Sequence, residues 1–385
     1  MRWTCFNKNS KEHWRLHREM KIGIVQKELD RRNLPDLLIG PNRVPINTKE
    51  EWEKVGRPYW KKILLQEEYG KIPPVLNPTI AIKKQPIDFA GKAIWEEVTF
   101  SFQKGERLHK IPTQLIYPTR KEVAPFFIFI NFCKEVPNKY LPIEEIIDNG
   151  FGVFTVFYED VTSDDADFSN GLAGLFQETD RRDDASGKIM YWSWMASRMM
   201  DYLSTRREAD KNKIGVAGHS RLGKTALLTA ALDDRFCFVC SNNSGCSGAA
   251  LSRGRSEGGE SVRDICRQFP YWFCPNYLQY ADKENEAPFD QHCLLALVAP
   301  RKAYIGAALE DVWADNLSQF LNCVAASKIW RLYEKEGFEI PDDLPKCGDK
   351  FIDGDVGFHL REGKHYFSRT DWLIYMEAIQ NTINK

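Results

Sequence analysis

The chain has 385 residues, of which 43% are hydrophobic and 12% aromatic, so it can bury a large core and a disordered chain is excluded. Its formal net charge is -1, and this balance excludes the broad basic surface that nucleic-acid binding requires. Its ten cysteines are too sparse for a disulfide scaffold.

The N-terminus shows no pattern of export or membrane insertion. Residues 1–20 lack the apolar segment of a secretory signal, and no run of about 18 apolar residues occurs anywhere. As written, the chain is therefore predicted to be cytoplasmic, without a membrane partner, and we expect a monomer. A chain whose signal had already been removed would look the same, so a secreted location stays open.

The first predicted elements follow a charged, proline-punctuated segment. Residues 1–90 contain a helical stretch at 50–70 and are predicted to form an extension packed on the catalytic domain, residues 91–385. From residue 93 onwards the pattern changes to short β-rich runs. The clearest of these runs lie at 93–102, 109–118 and 125–132.

Further along the chain, strands alternate with helices. In chain order these are a helix at 143–150, a strand at 152–158, a helix at 188–206, a strand at 213–218, a helix at 221–232, strands at 236–242 and 302–309, and a helix at 368–383. This order predicts an α/β fold with a mostly parallel sheet, helices on both faces and an antiparallel start. The long aromatic region 248–290 is typical of an insertion that builds part of a substrate pocket.

The stretch GHSRLGKT, Gly218–Thr225, fits two different loops. Its two glycines, lysine and threonine satisfy the G-x-x-x-x-G-K-[ST] pattern of a phosphate-binding loop. It also places Ser220 between a predicted strand and a predicted helix, as in a nucleophile elbow. A phosphate loop usually opens its domain and needs a later strand that ends in Asp. Here at least four strands precede the motif and the next strand ends in Ser-Asn, so the elbow is favoured.

A nucleophile elbow needs an acid after a later strand and a histidine near the C-terminus, in that order. The strand at 302–309 runs into Glu310 and Asp311, and His365 lies just before the final helix. Ser220, His365 and Asp311 are therefore the candidate nucleophile, general base and orienting acid. Nearby His359 stays open as an alternative base, and Glu310 as an alternative acid.

Two other patterns suggest a metal, and both are weak. Cys237-x-x-Cys240 has the spacing of half a zinc site, but no second Cys/His pair with zinc spacing follows. The acidic run 158–168 lacks the glycine and terminal glutamate of an EF-hand loop, so it is predicted to be a polar turn. Neither a metal nor an organic cofactor is predicted.

Six stretches of the sequence together match the pattern of one known family. They are GVAGHSRLGKTALLTAALDDRF, NNSGCSGAALSR, GESV, FDQHCLLALVAPR, EDVWAD and GFHLREGKH. In this order they resemble the glucuronoyl esterases of carbohydrate esterase family fifteen, in their bacterial branch, which are α/β-hydrolases. The resemblance covers about residue 60 to the end. The G-x-S-R-x-G-K element is specific to that family among α/β-hydrolases, and it accounts for a glycine at the third position after the serine.

The resemblance implies roles for residues around the elbow. Arg221 would supply the backbone N–H next to the nucleophile and turn its guanidinium to the oxyanion. Lys224 would bind ring hydroxyls of the sugar, with a solvent-facing helix lysine as the alternative. Glu260 and Trp313 match further sugar-contacting positions, although a core tryptophan is an equal alternative for Trp313.

The resemblance also bears on the triad acid, which the family holds in one of two places. Some members carry a glutamate just after the strand that follows the elbow, and Asn243 occupies that position here. The resemblance therefore places the acid at Asp311, after the later strand.

The implied function is hydrolysis of esters of glucuronic acid or its 4-O-methyl form, as in lignin–carbohydrate links on glucuronoxylan, with a carbohydrate as the partner. The reaction would pass through an acyl-Ser220 intermediate. One alternative is a deacetylase of acetylated sugars, which would need no cation such as Lys224 in its pocket. A P-loop nucleotide hydrolase and an inactive carbohydrate-binding relative are alternatives from other classes.

Overall fold

A computed structural model describes residues 23–87, 89–176 and 181–383 of the chain. Within them, ten strands form one sheet. The strands are β1 (Thr79–Lys84), β2 (Ala93–Lys104), β3 (Arg107–Pro118), β4 (Ala124–Asn131), β5 (Gly152–Phe157), β6 (Ala209–His219), β7 (Phe238–Asn242), β8 (Lys302–Ala308), β9 (Lys350–Phe351) and β10 (Val356–Arg361).

The spatial order of the strands is β1-β2-β3-β5-β4-β6-β7-β8-β10-β9. The pairs β1–β2, β2–β3 and β3–β5 are antiparallel, and every neighbouring pair from β5 to β10 is parallel. The short strand β9 then pairs antiparallel with β10 at the far edge. The predicted mostly parallel sheet with an antiparallel start is confirmed.

Helices cover both faces of this sheet. The α-helices of the described residues are α1 (23–30), α2 (Lys49–Glu51), α3 (Arg57–Leu64), α4 (Ile143–Asp148), α5 (Tyr158–Val161), α6 (Gly171–Phe176), α7 (Lys188–Leu203), α8 (Arg221–Leu232), α9 (Val262–Gln268), α10 (Gln291–Ala296), α11 (Asn316–Ala326), α12 (Lys328–Arg331) and α13 (Arg369–Ile383). Two π-helical turns, Trp52–Gly56 and Leu65–Tyr69, continue α2 and α3. Single 3-10 turns lie at Pro41–Arg43, Pro270–Trp272, Pro275–Tyr280, Glu284–Glu286 and Val312–Ala314.

Strand β4 shows why the sheet needs covering on both sides. Alternate side chains of a strand point to opposite faces, and here nearly all of them are apolar and buried. Ile128 and Ile130 belong to the larger core, which also contains residues of α7 and α8. Phe127 and Phe129 lie in the smaller core on the other face, where their rings contact Trp372 of α13 at 5.1 and 5.2 Å between centroids.

The described part of the N-terminal segment packs on the same core as the rest of the chain. Trp52, Trp60 and Tyr69 are buried within the larger cluster. Strand β1, which the sequence analysis did not predict, adds an edge to the sheet by pairing with β2. The division at residue 90 stays a prediction, and residues 1–22 lie outside the described residues.

Candidate active site

The strand–serine–helix turn predicted around Ser220 is present. Strand β6 ends at His219 and α8 begins at Arg221. Between them, Ser220 has φ 56° and ψ -128°, a backbone conformation that costs energy for a residue with a side chain. Its N–H donates to the carbonyl of Asn242 at 2.8 Å, which fixes the turn to the end of β7. Such strained turns are found where a protein must present a functional side chain.

Two glycines make this turn sterically possible. A Cβ atom on Gly218 would lie 2.0 Å from the carbonyl oxygen of Leu222. On Gly223 it would lie 3.0 Å from Cβ of Ser244 and 3.1 Å from the carbonyl oxygen of Asn242. At the third position after the serine, a side chain larger than glycine would therefore crowd the segment after β7, which α8 approaches closely.

A cavity of about 290 Å³ opens at the elbow. Its lining includes every site residue predicted from the sequence, namely Ser220, Arg221, Lys224, Glu260, Asp311, Trp313 and His365. The cavity lies at the carboxyl ends of β6, β7 and β8, which is where open α/β sheets bind their ligands. Gln268, Phe269 and Trp272 also line it, so the region 248–290 does contribute to this pocket as predicted.

His365 and Asp311 are joined by a short polar contact at the cavity. Nδ1 of His365 lies 2.6 Å from Oδ2 of Asp311. The Asp311 side chain is 4% exposed and that of His365 is 44% exposed, so a buried carboxylate orients an accessible ring. No hydrogen bond occupies Nε2 of His365 among the described residues, which leaves this nitrogen for proton transfer.

The two alternatives left open by the sequence occupy other places. His359 lies on β10, a strand that the sequence analysis did not predict, and is buried with Nε2 2.8 Å from Oδ1 of Asp371. Arg361 binds the other oxygen of the same carboxylate. Glu310 is exposed, and the acid that contacts His365 is its neighbour Asp311. The geometry thus favours His365 over His359 and Asp311 over Glu310.

Asn243 occupies the position at which the resemblance implies a glutamate in some family members, and its amide is fully used. Its Oδ1 accepts from the N–H of Ala308 at 2.9 Å, and its Nδ2 donates to the carbonyl of Tyr366 at 3.2 Å. The side chain therefore links the end of β7 to β8 and to the loop that carries His365. An uncharged amide that links three segments thus occupies the position of the alternative triad acid.

A second histidine lies against His365 and was not predicted from the sequence. The ring of His219 is 4.5 Å from that of His365 between centroids, and its Nδ1 lies 2.7 Å from Oδ1 of Asn242. Burial, together with the charge of His365, lowers the pKa of His219 to about 3. His219 is therefore neutral at neutral pH and forms an uncharged wall beside the proposed base.

Lys224 is buried rather than solvent-facing, which rules out the alternative weighed for it. Its Nζ donates to the carbonyls of Ser244 and Cys246 and lies 3.8 Å from Oε2 of Glu260. Burial lowers the pKa of Lys224 and raises that of Glu260, since both charges have lost most of their water. The pair presents a donor and an acceptor side by side at the cavity wall.

Trp313 lies at the mouth of the cavity, and the core alternative is wrong because the residue is 47% exposed. Its carbonyl accepts from the N–H of Glu260 at 2.9 Å. This bond ties the loop after β8 to the region 248–290. The indole is therefore placed where it can contact a ring that enters the cavity.

The acidic run 158–168 contributes one residue that the sequence analysis did not assign to the site. Asp165 and Asp167 accept hydrogen bonds within their own turn, as a polar turn would. Asp164 instead pairs with the guanidinium of Arg221 and accepts from Nε1 of Trp272 at 2.7 Å. No local pattern separates Asp164 from its acidic neighbours, because both partners are distant in the chain.

Three further expectations from the sequence concern a metal, a phosphate loop and a membrane span. The described part of the chain holds no group of three or more His, Cys, Asp and Glu placed to bind a metal. Lys224 directs its ammonium at two carbonyl oxygens, whereas a phosphate loop would direct it at phosphates. No helix among the described residues is both long and apolar enough to cross a bilayer. The cytoplasmic location and the monomeric state stay predictions.

A serine on a strained strand-to-helix turn, in a mostly parallel sheet with helices on both faces, defines an α/β-hydrolase. The family model described as "Glucuronyl esterase, fungi" matches residues 100–333, more than half of the chain. The chain belongs to this family of glucuronoyl esterases, carbohydrate esterase family fifteen, as the sequence resemblance predicted.

Individual relatives agree with this assignment. The carbohydrate esterase MZ0003, from an unknown prokaryotic organism, is 33% identical and covers 91% of this chain and 89% of its own length. A glucuronoyl esterase from Solibacter usitatus is 31% identical, with a TM-score of 0.83 over 91% of this chain and 97% of that chain. The 4-O-methyl-glucuronoyl methylesterase of Schizophyllum commune is 27% identical over 88% of each chain.

Proposed function

We propose that this chain is a serine esterase that hydrolyses the ester between the carboxyl group of a glucuronic acid, or its 4-O-methyl form, and an alcohol. The observation that carries the proposal is the pairing of two features in one cavity. One is Ser220 together with the hydrogen-bonded pair of His365 and Asp311. The other is the buried pair of Lys224 and Glu260. Acyl-transfer groups and groups that hold a hydroxylated ring thus share one small space.

The reaction follows the order of a serine hydrolase. His365 removes the proton of Ser220 through Nε2 as the hydroxyl oxygen attacks the ester carbonyl. Arg221 is the first residue of α8, so its backbone N–H has no partner within the helix and can donate to the oxyanion. His365 then returns the proton to the departing alcohol, which leaves a glucuronoyl-Ser220 ester. A water molecule, deprotonated by His365, releases the glucuronic acid.

Asp311 supports both steps from behind the imidazole. Its carboxylate accepts the Nδ1–H of His365 and so keeps Nε2 unprotonated before attack. After proton transfer, the same carboxylate stabilises the imidazolium. Asp311 is buried, and its charge therefore acts on the ring with little screening by water.

The other wall of the cavity indicates the substrate class. Lys224 can donate to ring hydroxyls and Glu260 can accept from them, and the exposed indole of Trp313 offers an apolar face to the sugar ring. A deacetylase has to hold only a small acetyl group at the acyl side, which requires no buried cation there. The Schizophyllum commune relative is named a 4-O-methyl-glucuronoyl methylesterase, and this supports the uronate as the acid portion.

The test is Ser220→Ala, assayed with a methyl ester of glucuronic acid and with a covalent fluorophosphonate probe for serine hydrolases. We expect hydrolysis and labelling to disappear while the melting temperature stays unchanged, because the change removes a hydroxyl and no core packing. Ser244→Ala is the matched control, since Ser244 lines the same cavity. Labelling should persist in this control. Labelling of Ser220→Ala would place the nucleophile elsewhere.

A further inference from the structure

The guanidinium of Arg221 is enclosed by three aromatic rings at the edge of the cavity. Its Cζ lies 4.5 Å from the ring centroid of Trp272, 5.3 Å from that of Phe269 and 5.6 Å from that of Phe132. Aromatic faces attract a cation without selecting the direction of its N–H groups in their plane. A further partner is needed if the guanidinium is to have one orientation.

Asp164 is such a partner. One of its carboxylate oxygens accepts from Nη1 of Arg221 and, at 3.3 Å, from the hydroxyl of Tyr158. The other oxygen accepts from Nε1 of Trp272 at 2.7 Å. The Asp164 side chain is only 7% exposed. One carboxylate therefore fixes both the guanidinium and the tryptophan on which it stacks.

This arrangement leaves donors of Arg221 for other use. A guanidinium carries five N–H groups, and the bond to Asp164 occupies one of them on Nη1. Nε of Arg221 is buried without a hydrogen-bond partner within the described residues, so the N–H groups left for a ligand are those of Nη1 and Nη2. A cation that is already oriented when the substrate arrives stabilises a developing oxyanion without the cost of reorganisation.

We propose that Asp164 is a positioning residue for the reaction: it holds the Arg221 guanidinium in the orientation that stabilises the oxyanion. The inference rests on the proposed function and extends it: the backbone N–H of Arg221 donates to the oxyanion there, and the guanidinium of the same residue, which lines the cavity, is inferred here to do so as well. Asp164 does not line the cavity, so it acts through Arg221 and Trp272.

The test begins with Asp164→Asn, which keeps the shape of the side chain and removes its charge. An amide also places a donor opposite the N–H groups of Arg221 or Trp272. We expect kcat on a methyl glucuronate ester to fall about 10- to 100-fold, less than the loss of an entire oxyanion donor, with KM nearly unchanged. Asp165→Asn is the matched control, since Asp165 is exposed and its carboxylate bonds only within its own turn. Its kcat should stay at the parent value.

A double-mutant cycle separates positioning from general structural support. If Asp164 acts through Arg221, then Asp164→Asn should cause little further loss of kcat in an Arg221→Ala background. Fully additive losses would overturn the inference. Trp272→Phe serves if Asp164→Asn does not fold, because it keeps an aromatic ring and removes the N–H that binds Asp164, together with part of the ring volume. Trp272→Phe should lower kcat less than Asp164→Asn does, and it should do so only when Arg221 is present.

Ser220→Ala, measured in the same assay, keeps this inference separate from the proposed function. An inactive Ser220→Ala with a fully active Asp164→Asn would refute the positioning role and leave the esterase assignment intact. An active Ser220→Ala would refute the esterase mechanism itself.

Discussion

Replacing Asp311 by asparagine tests the triad member for which the sequence offered two candidates, Asp311 and Glu310. The Oδ2 atom of Asp311 is 2.6 Å from Nδ1 of His365, and the carboxylate is almost fully buried. The amide of Asp311→Asn cannot offset the charge of the imidazolium, and its N–H₂ group can favour the wrong tautomer. Loss of a triad carboxylate commonly costs about 10⁴ in turnover, or about 5 kcal/mol of transition-state stabilisation.

The assay is steady-state hydrolysis of a methyl glucuronate ester. Asp311→Asn should lower kcat by about 10⁴ with KM little changed, since the cavity wall that holds the sugar is untouched. Glu310→Gln is the matched control, because Glu310 is the adjacent exposed acid, and it should matter far less. Asn243→Glu in the Asp311→Asn background should restore part of the activity if the early position reaches the ring. Normal turnover by Asp311→Asn would refute the proposed triad.

Two further predictions concern the cavity wall and pH. Lys224→Met should impair hydrolysis of glucuronate esters far more than hydrolysis of aryl acetates, and equal losses would mean that Lys224 only supports the backbone it binds. It should also lower the melting temperature, because Glu260 is left as an unpaired buried acid. The pKa of His219 is about 3 in the folded protein and about 6.5 in the unfolded chain. Between these two pH values the unfolded chain binds a proton at His219 and the folded protein does not. Stability should therefore fall as the pH drops from about 6.5 to about 3, by up to about 1.4 kcal/mol per unit for this residue. Urea unfolding at several pH values should show a shallower slope for His219→Gln, and an unchanged slope would contradict the shift.

The sequence was sufficient for the features that depend on local order along the chain. An apolar strand, a serine and a helix in succession predict the elbow, and Ser220 is found there. An acid directly after β8 must lie at the carboxyl edge of the sheet, where the elbow also lies, and this explains why Asp311 and Glu310 could be named as candidates. Local order does not separate the two, and the family resemblance favoured Asp311. The structure brings these residues to one cavity.

Features that depend on distant partners could not be predicted. Asp164 is one of several acids in a polar run, and its partner Arg221 lies 57 residues further on. His359 could not be separated from His365 by pattern alone. The distinction needs the burial of β10 and the hydrogen bond between His359 and Asp371, and neither has a signal in the nearby sequence. Strand β1 is mostly exposed and therefore lacks the apolar alternation by which strands are recognised.

The most direct test of the proposed activity is a comparison of kcat/KM for a methyl glucuronate ester and for an acetylated sugar, measured with the same preparation. If Lys224 and Glu260 hold the sugar ring of the acyl group, the glucuronate ester should be strongly preferred, and Lys224→Met should remove most of that preference. An acetylated sugar hydrolysed as fast as, or faster than, the glucuronate ester would contradict the account and favour a deacetylase.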